Sequence, residues 1–126
     1  MSITAHINNL DDYKKEVLRT CPAAENMVPG DLHNEHTWDM LLNSGMGLSG
    51  EAGEIIDHLK KCNFQGHTPD VVLLVKELGD VLWYVMLATH CLGVNPMYVI
   101  KKNVEKLRKR YPDGFETERS INRSPE

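Results

Sequence analysis

Apolar residues recur along this chain every three or four positions, the spacing of one helical face, and nowhere alternate over a useful length. Leu10, Tyr13, Val17 and Leu18 mark a first helix over roughly 8–20. Pro22, Pro29 and Gly30 then break the pattern, and the connection up to His36 has no period of its own. Leu41, Leu42, Met46, Leu48, Ile55, Ile56 and Leu59 predict a second helix from about Thr37 to Phe64. It contains Gly45, Gly47, Gly50 and Gly53, and glycine costs about 1 kcal/mol relative to alanine inside a helix. If the helix is unbroken, the glycines imply close packing on its backbone or an approaching ligand; the alternative is a break near 45–50.

Thr68 as cap and Pro69 at the first helical position predict a third helix over about 69–92. Its stretch "VVLLVKELGDVLWYVMLATHCL" is apolar nearly all round, which places it centrally. Gly93 stops it. Asn95 and Pro96 open a fourth helix, about 96–111, which turns basic towards its end at Pro112. The polar tail 116–126 is expected to be irregular. Residues 1–115 thus read as one all-α domain packed as a four-helix-type bundle.

Two segments of this frame carry unusual charge. "GEAGEIID" at 50–57 holds Glu51 and Glu54, and "KELGDVLWY" at 76–84 holds Glu77 and Asp80. Residues three apart share a helical face, so each pair points one way. The second pair interrupts the most apolar helix, where unpaired carboxylates are costly. Lys76 is the only basic residue in 69–92. If helices two and three pack antiparallel across the short connection, Glu54 and Glu77 both lie about ten residues from its middle. The four acids would then converge. Hard divalent cations would resolve their repulsion: Mg²⁺ takes oxygen ligands and keeps waters for substrate phosphates. The plain alternative is two solvated acidic faces. A di-iron centre fits less well, because such bundles carry Glu-x-x-His and neither pair does.

Bulk composition narrows the classes without choosing among them. The 126 residues are 41% hydrophobic and 25% charged, with a net charge of -4. That speaks for a globular protein and against a nucleic-acid surface, which shows a basic excess. No apolar run reaches the roughly 20 residues of a membrane helix, and no apolar leader is visible. Cys21, Cys62 and Cys91 form no CxxC; free thiols in a reduced cytoplasmic setting are the simple expectation.

"GLSGEAGEIIDHLKK", "KELGDVLWYVMLATHCLGV" and "NVEKLRKRYPDGF" together resemble the MazG-like nucleotide pyrophosphohydrolases, all-α enzymes whose hallmark is ExxE…ExxD. The resemblance runs over about 40–115, and none of the four acids departs from the pattern. It implies a MazG fold completed by homo-oligomerisation, as a dimer or a dimer of dimers. It also implies hydrolysis of a nucleoside triphosphate to the monophosphate and pyrophosphate with Mg²⁺, for which Mn²⁺ could substitute. Glu51, Glu54, Glu77 and Asp80 would be the metal ligands. The expected mechanism is attack of a metal-activated water on the α-phosphorus, with Glu54, and Glu51 beside it, as the acids that orient or deprotonate that water. Charge developing on the phosphate would be spread over ions and nearby cations.

Further binding candidates follow from position. Lys60 and Lys61 close the first acidic row and suit phosphate or a solvated helix end. Asn103, Lys106 and Arg110, spaced three and four apart, share a face of the fourth helix and suit a triphosphate tail or a charged outer stripe. Tyr84 lies one turn beyond Asp80, and Asn43 two turns before Glu51. Trp38 could stack on a base or pack in the core. His33 and His36 lack a third ligand for zinc. A purine deoxynucleotide such as dGTP is the favoured substrate. The rivals are a non-catalytic helical interaction module and the same chemistry on dUTP, dUDP or an alarmone.

Overall fold

The computed structural model describes residues 2–123 and 125. The chain forms two compact units, residues 1–94 and 95–126. The first contains helices α1 (Leu10–Thr20), α2 (Glu35–Phe64) and α3 (Val71–Leu92). Asn9 caps α1 by accepting from the Asp12 N–H, and Asp11 and Asp12 complement the positive end of its dipole. A single 3-10 turn, Ala24–Asn26, follows. Asn34 caps α2, which runs unbroken for 30 residues despite its glycines and begins two residues before Thr37. The Thr37 hydroxyl, fully buried, accepts from the Val28 N–H at 2.8 Å and donates to the Val28 carbonyl at 3.1 Å. That bond pair ties the irregular 21–34 connection to the start of α2.

The cap of α3 differs from expectation. Asp70, not Thr68, accepts from the Leu73 N–H at 3.0 Å, so Pro69 precedes the helix instead of opening it. The reason lies in α2: His58 Nε2 accepts the Asp70 N–H at 2.9 Å, which fixes Asp70 at the helix entrance. Helices α2 and α3 pack against each other across the 65–70 connection, and α1 packs on α3. Gly93, with φ of +68°, ends α3 in a Schellman turn, where the Val94 N–H reaches the Thr89 carbonyl at 3.1 Å. The Gly30 N–H donates to the Cys91 carbonyl at 3.0 Å, and a Cβ on Gly93 would stand 2.9 Å from the Gly30 backbone.

The core is small and lies at one end. Val17, Cys21, Met27, Met86, Leu87 and Cys91 are buried, with Leu10, Leu18, Met40, Leu41 and Trp83 packed around them. The expectation that α3 is central along its whole length is therefore corrected. Its second half is buried, whereas Val71, Val75, Leu78 and Leu82, which share one stripe of its first half, are exposed. The buried residues Val17, Cys21 and Met27 cluster with Met86, Leu87 and Cys91 of its second half.

The second unit contains α4 (Pro96–Arg110) and α5 (Thr117–Ile121). Asn95 caps α4, accepting from the Met97 N–H at 2.8 Å, with Pro96 in the first turn. The tail expected to be irregular carries α5, a helix of five residues, too short for a 3.6-residue period to show in its sequence. The described residues contain no strand, and no helix among them is long and apolar enough to cross a membrane.

Candidate metal centre

Acids from the two packed helices meet. Carboxylate oxygens of Glu51 on α2 and of Glu77 and Asp80 on α3 lie within 4.8 Å of one another. No ion pair among the described residues engages them; those ion pairs involve Glu16, Asp57, Glu105 and Glu116. Glu77 is the most constrained. Its Oε2 is buried with no hydrogen-bond partner among the described residues. Its pKa is pushed up, first by a hydrogen bond with the Glu51 carboxyl, then by loss of water, then by the charges of Glu51 and Asp80. Glu54, within hydrogen-bonding reach of Glu77, pulls the other way. Three clustered carboxylates, one of which has a buried oxygen without a hydrogen-bond partner among the described residues and is driven towards its neutral form, fit a site for a hard cation.

Two cavities flank this cluster. One, of about 450 Å³, is lined by Gly50, Gly53, Glu54, Asp57, His58, Lys61, Leu73 and Glu77. The other, of about 290 Å³, is lined by Thr20, Glu51, Asp80, Trp83 and Tyr84. Glu51, Glu77 and Asp80 are the tightest group, and Glu54, beside Glu77, lines the polar cavity. Lys61 lines that cavity too. Lys60 instead borders a separate apolar groove with Ile56 and Phe64. Asp57 draws both lysines, at 3.3 Å to Lys60 and 2.9 Å to Lys61, and their cations hold its carboxyl below the usual range.

Tyr84 comes to the acids for a reason legible in α2. A Cβ on Gly47 would fall inside its ring, so the glycine gives the tyrosine its place against the α2 backbone. Gly50 and Gly53 have nothing within 4 Å of a built Cβ and instead open the polar cavity. Asn43 is exposed, near Met40, and lines neither flanking cavity. Trp38 is half-exposed and lies sixteen residues before Glu54, roughly 160° around α2 at 3.6 residues per turn. It is not gathered with the acids in this unit. Asn103, Lys106 and Arg110 share one side of α4, in the second unit.

Three contributors were missed from the sequence. Tyr13 of α1 donates its hydroxyl to the Gly79 carbonyl at 3.4 Å, and its pKa is raised by burial and then by the charge of Asp80. Thr20 ends α1 on the wall of the aromatic cavity. Both contacts span more than sixty residues, so no local pattern announces them. His58 lies four residues after Glu54, off the Glu-x-x-His spacing, and it braces the α2–α3 connection. Because its Nε2 accepts the Asp70 N–H and lies 3.6 Å from Cys62 Sγ, its own proton sits on Nδ1. His58→Ala is expected to lower stability by about 1 kcal/mol through the lost bond, read as a lower denaturation midpoint.

Residues 42–115 match the MazG nucleotide pyrophosphohydrolase domain. The Gene 37 protein of Mycobacterium phage L5 is 40% identical over 76 residues, which is 55% of this chain and 64% of that protein. The chain therefore spans less than two thirds of that relative's length. No solved structure matches it. The matched stretch covers more than half of the chain and takes in both acid pairs: the chain belongs to the MazG nucleotide pyrophosphohydrolase family.

Proposed function

We propose that the chain hydrolyses a nucleoside triphosphate at the α-phosphorus, (d)NTP and water giving (d)NMP and pyrophosphate, as a cytoplasmic enzyme of nucleotide-pool control. The triad of Glu51, Glu77 and Asp80 carries this reading. Glu51, Glu77 and Asp80 would hold Mg²⁺ (or Mn²⁺), with Glu54 alongside. When bound, the ion neutralises phosphate charge and acidifies an attacking water. Glu54 stands next to Glu77 without belonging to the triad, and it faces a polar cavity. Its carboxylate orients that water and accepts its proton. Lys61, in the same cavity, meets the leaving pyrophosphate. Within the second unit, Asn103, Lys106 and Arg110 on one side of α4 are a further set of anion-binding groups.

The test is a panel of ribo- and deoxynucleotides, with and without Mg²⁺, with products resolved. It includes dGTP as the favoured purine deoxynucleotide, together with dUTP, dUDP and an alarmone. Monophosphate and pyrophosphate, only with the metal, are expected. No product from any nucleotide, or orthophosphate in place of pyrophosphate, overturns the reading.

The protein is also proposed to be a homo-oligomer, a dimer or a dimer of dimers. Trp38, Leu42, Met46, Ile56 and Phe64 lie on one side of α2, away from the acids, and all are exposed. Apolar side chains exposed together on one side of a helix suit association, and a second copy is the proposed occupant. Ile56→Asp is expected to reduce the mass in light scattering to that of one 14.3 kDa chain. An unchanged multiple of it would remove this face from the interface.

A further inference from the structure

The family match begins at residue 42 and leaves α1 outside it. Yet the last residue of α1 stands on the wall of the acid site. Thr20 Oγ1 accepts from Trp83 Nε1 at 2.8 Å. Its own proton goes to a carbonyl within α1, that of Val17 at 3.0 Å or Glu16 at 3.1 Å. The hydroxyl's single donor is thus used inside the helix, and an acceptor lone pair holds the indole. Trp83 in turn meets Tyr84 edge to face, with centroids 5.0 Å apart and planes at 81°. Threonine, indole and phenol form three walls of the 290 Å³ cavity, and Glu51 and Asp80 form the rest.

A nucleotide with its reacting phosphate on the triad has a cavity on either side, and their chemistry differs. The polar one offers Lys61 and His58. The aromatic one offers flat apolar faces, on which any base can stack. At about 290 Å³ it stands at the small end of ligand pockets, which run from about 300 to 1,000 Å³. That is room for a nucleoside and not for a whole triphosphate. We infer that the aromatic cavity takes the nucleoside half of the substrate, and that Thr20 is a positioning residue that sets the Trp83 indole against the base. The inference rests on the proposed nucleotide hydrolysis and adds to it a direction of binding, with base towards α1 and pyrophosphate towards the α2–α3 connection. It also gives the segment outside the family match a part in substrate choice.

Thr20→Val keeps the shape of the side chain and removes the acceptor; Thr20→Ser keeps the acceptor. With the parent's best substrate, Thr20→Val is expected to raise KM about 10-fold, the scale of one weakened base stack. kcat should stay within about twofold of the parent, since the indole touches no reacting atom. Thr20→Ser should restore KM, and inhibition by added pyrophosphate should be the same in all three proteins. An active parent with parental KM in Thr20→Val overturns the inference alone. So does Thr20→Ser as impaired as Thr20→Val, or a parallel loss of pyrophosphate inhibition, which would report general damage. A parent inactive on every nucleotide overturns both this inference and the reading it rests on.

Discussion

Replacing Glu77 by glutamine is expected to lower nucleotide hydrolysis about 100-fold or more and, in the same protein freed of metal, to raise the melting temperature. Both effects come from one crowded carboxyl group. A hydrogen bond with the Glu51 carboxyl, partial loss of water, and the charges of Glu51 and Asp80 all push the Glu77 pKa up. A group whose pKa is raised by folding stabilises the fold in its protonated form. That stability is complete below the unfolded carboxylate value, near 4.5, and is lost as pH rises through the folded value. Above that folded value the charged carboxylate is left against its acidic neighbours. Glutamine is neutral at every pH and supplies an N–H donor to Glu51. The gain in melting temperature should therefore be clear near neutrality in EDTA and shrink towards about pH 4.5, where glutamate itself is protonated. Added Mg²⁺ should raise the parent's melting temperature and leave the variant's almost unmoved, because only a competent site couples binding to folding. Glu16 and Asp57 act with the opposite sign. Arg19 and His6 hold the first below its usual range, and Lys61 and Lys60 the second. Their stabilisation is present above the unfolded values and is lost on acidification. A variant that melts lower than the parent in EDTA near neutrality, or that keeps parental activity, would remove Glu77 from the proposed site.

The parts of this architecture legible in the chain are those set by local physics. Helical periodicity placed four helices close to where they stand, and Gly93 and Asn95 act at the ends they announce. The acid pairs were legible because carboxylates in an apolar helix need a reason, and equal distance from a short connection puts them level. What was not legible depends on contacts between residues far apart. Nothing around Thr20 or Trp83 says that they hydrogen-bond across 63 positions. The α3 cap went to Asp70 because His58, twelve residues upstream, holds its N–H. Glu51 and Glu54 look equivalent as a pair, yet three residues on a helix rotate a side chain by about 300°. That offset turns Glu51 towards the aromatic cavity and Glu54 towards the polar one.

The glycines of α2 give the second large effect, because neighbouring glycines on one helix should respond in opposite ways to the same methyl group. By helix propensity alone, alanine gains about 1 kcal/mol over glycine at an interior position. Gly50 has nothing within 4 Å of a built Cβ. Gly50→Ala is therefore expected to stabilise the protein by up to about 1 kcal/mol. It lines the polar cavity beside Glu54, so the methyl should also narrow that cavity and reduce activity. Gly47 is the reverse case. A methyl there would occupy the Tyr84 ring, and the ring cannot move without disturbing Trp83, its edge-to-face neighbour. Overpacking of this kind costs about 1–3 kcal/mol, more than the propensity gain. Gly47→Ala should therefore melt below the parent and lose activity as the Tyr84 wall shifts beside Glu51 and Asp80. Adding Tyr84→Leu to Gly47→Ala removes the ring's rigid edge and should recover much of the stability but not the activity. A Gly47→Ala protein as stable as Gly50→Ala would show that the α2–α3 contact is not set by this glycine. Recovered activity in the double variant would show that the tyrosine ring has no part in the site.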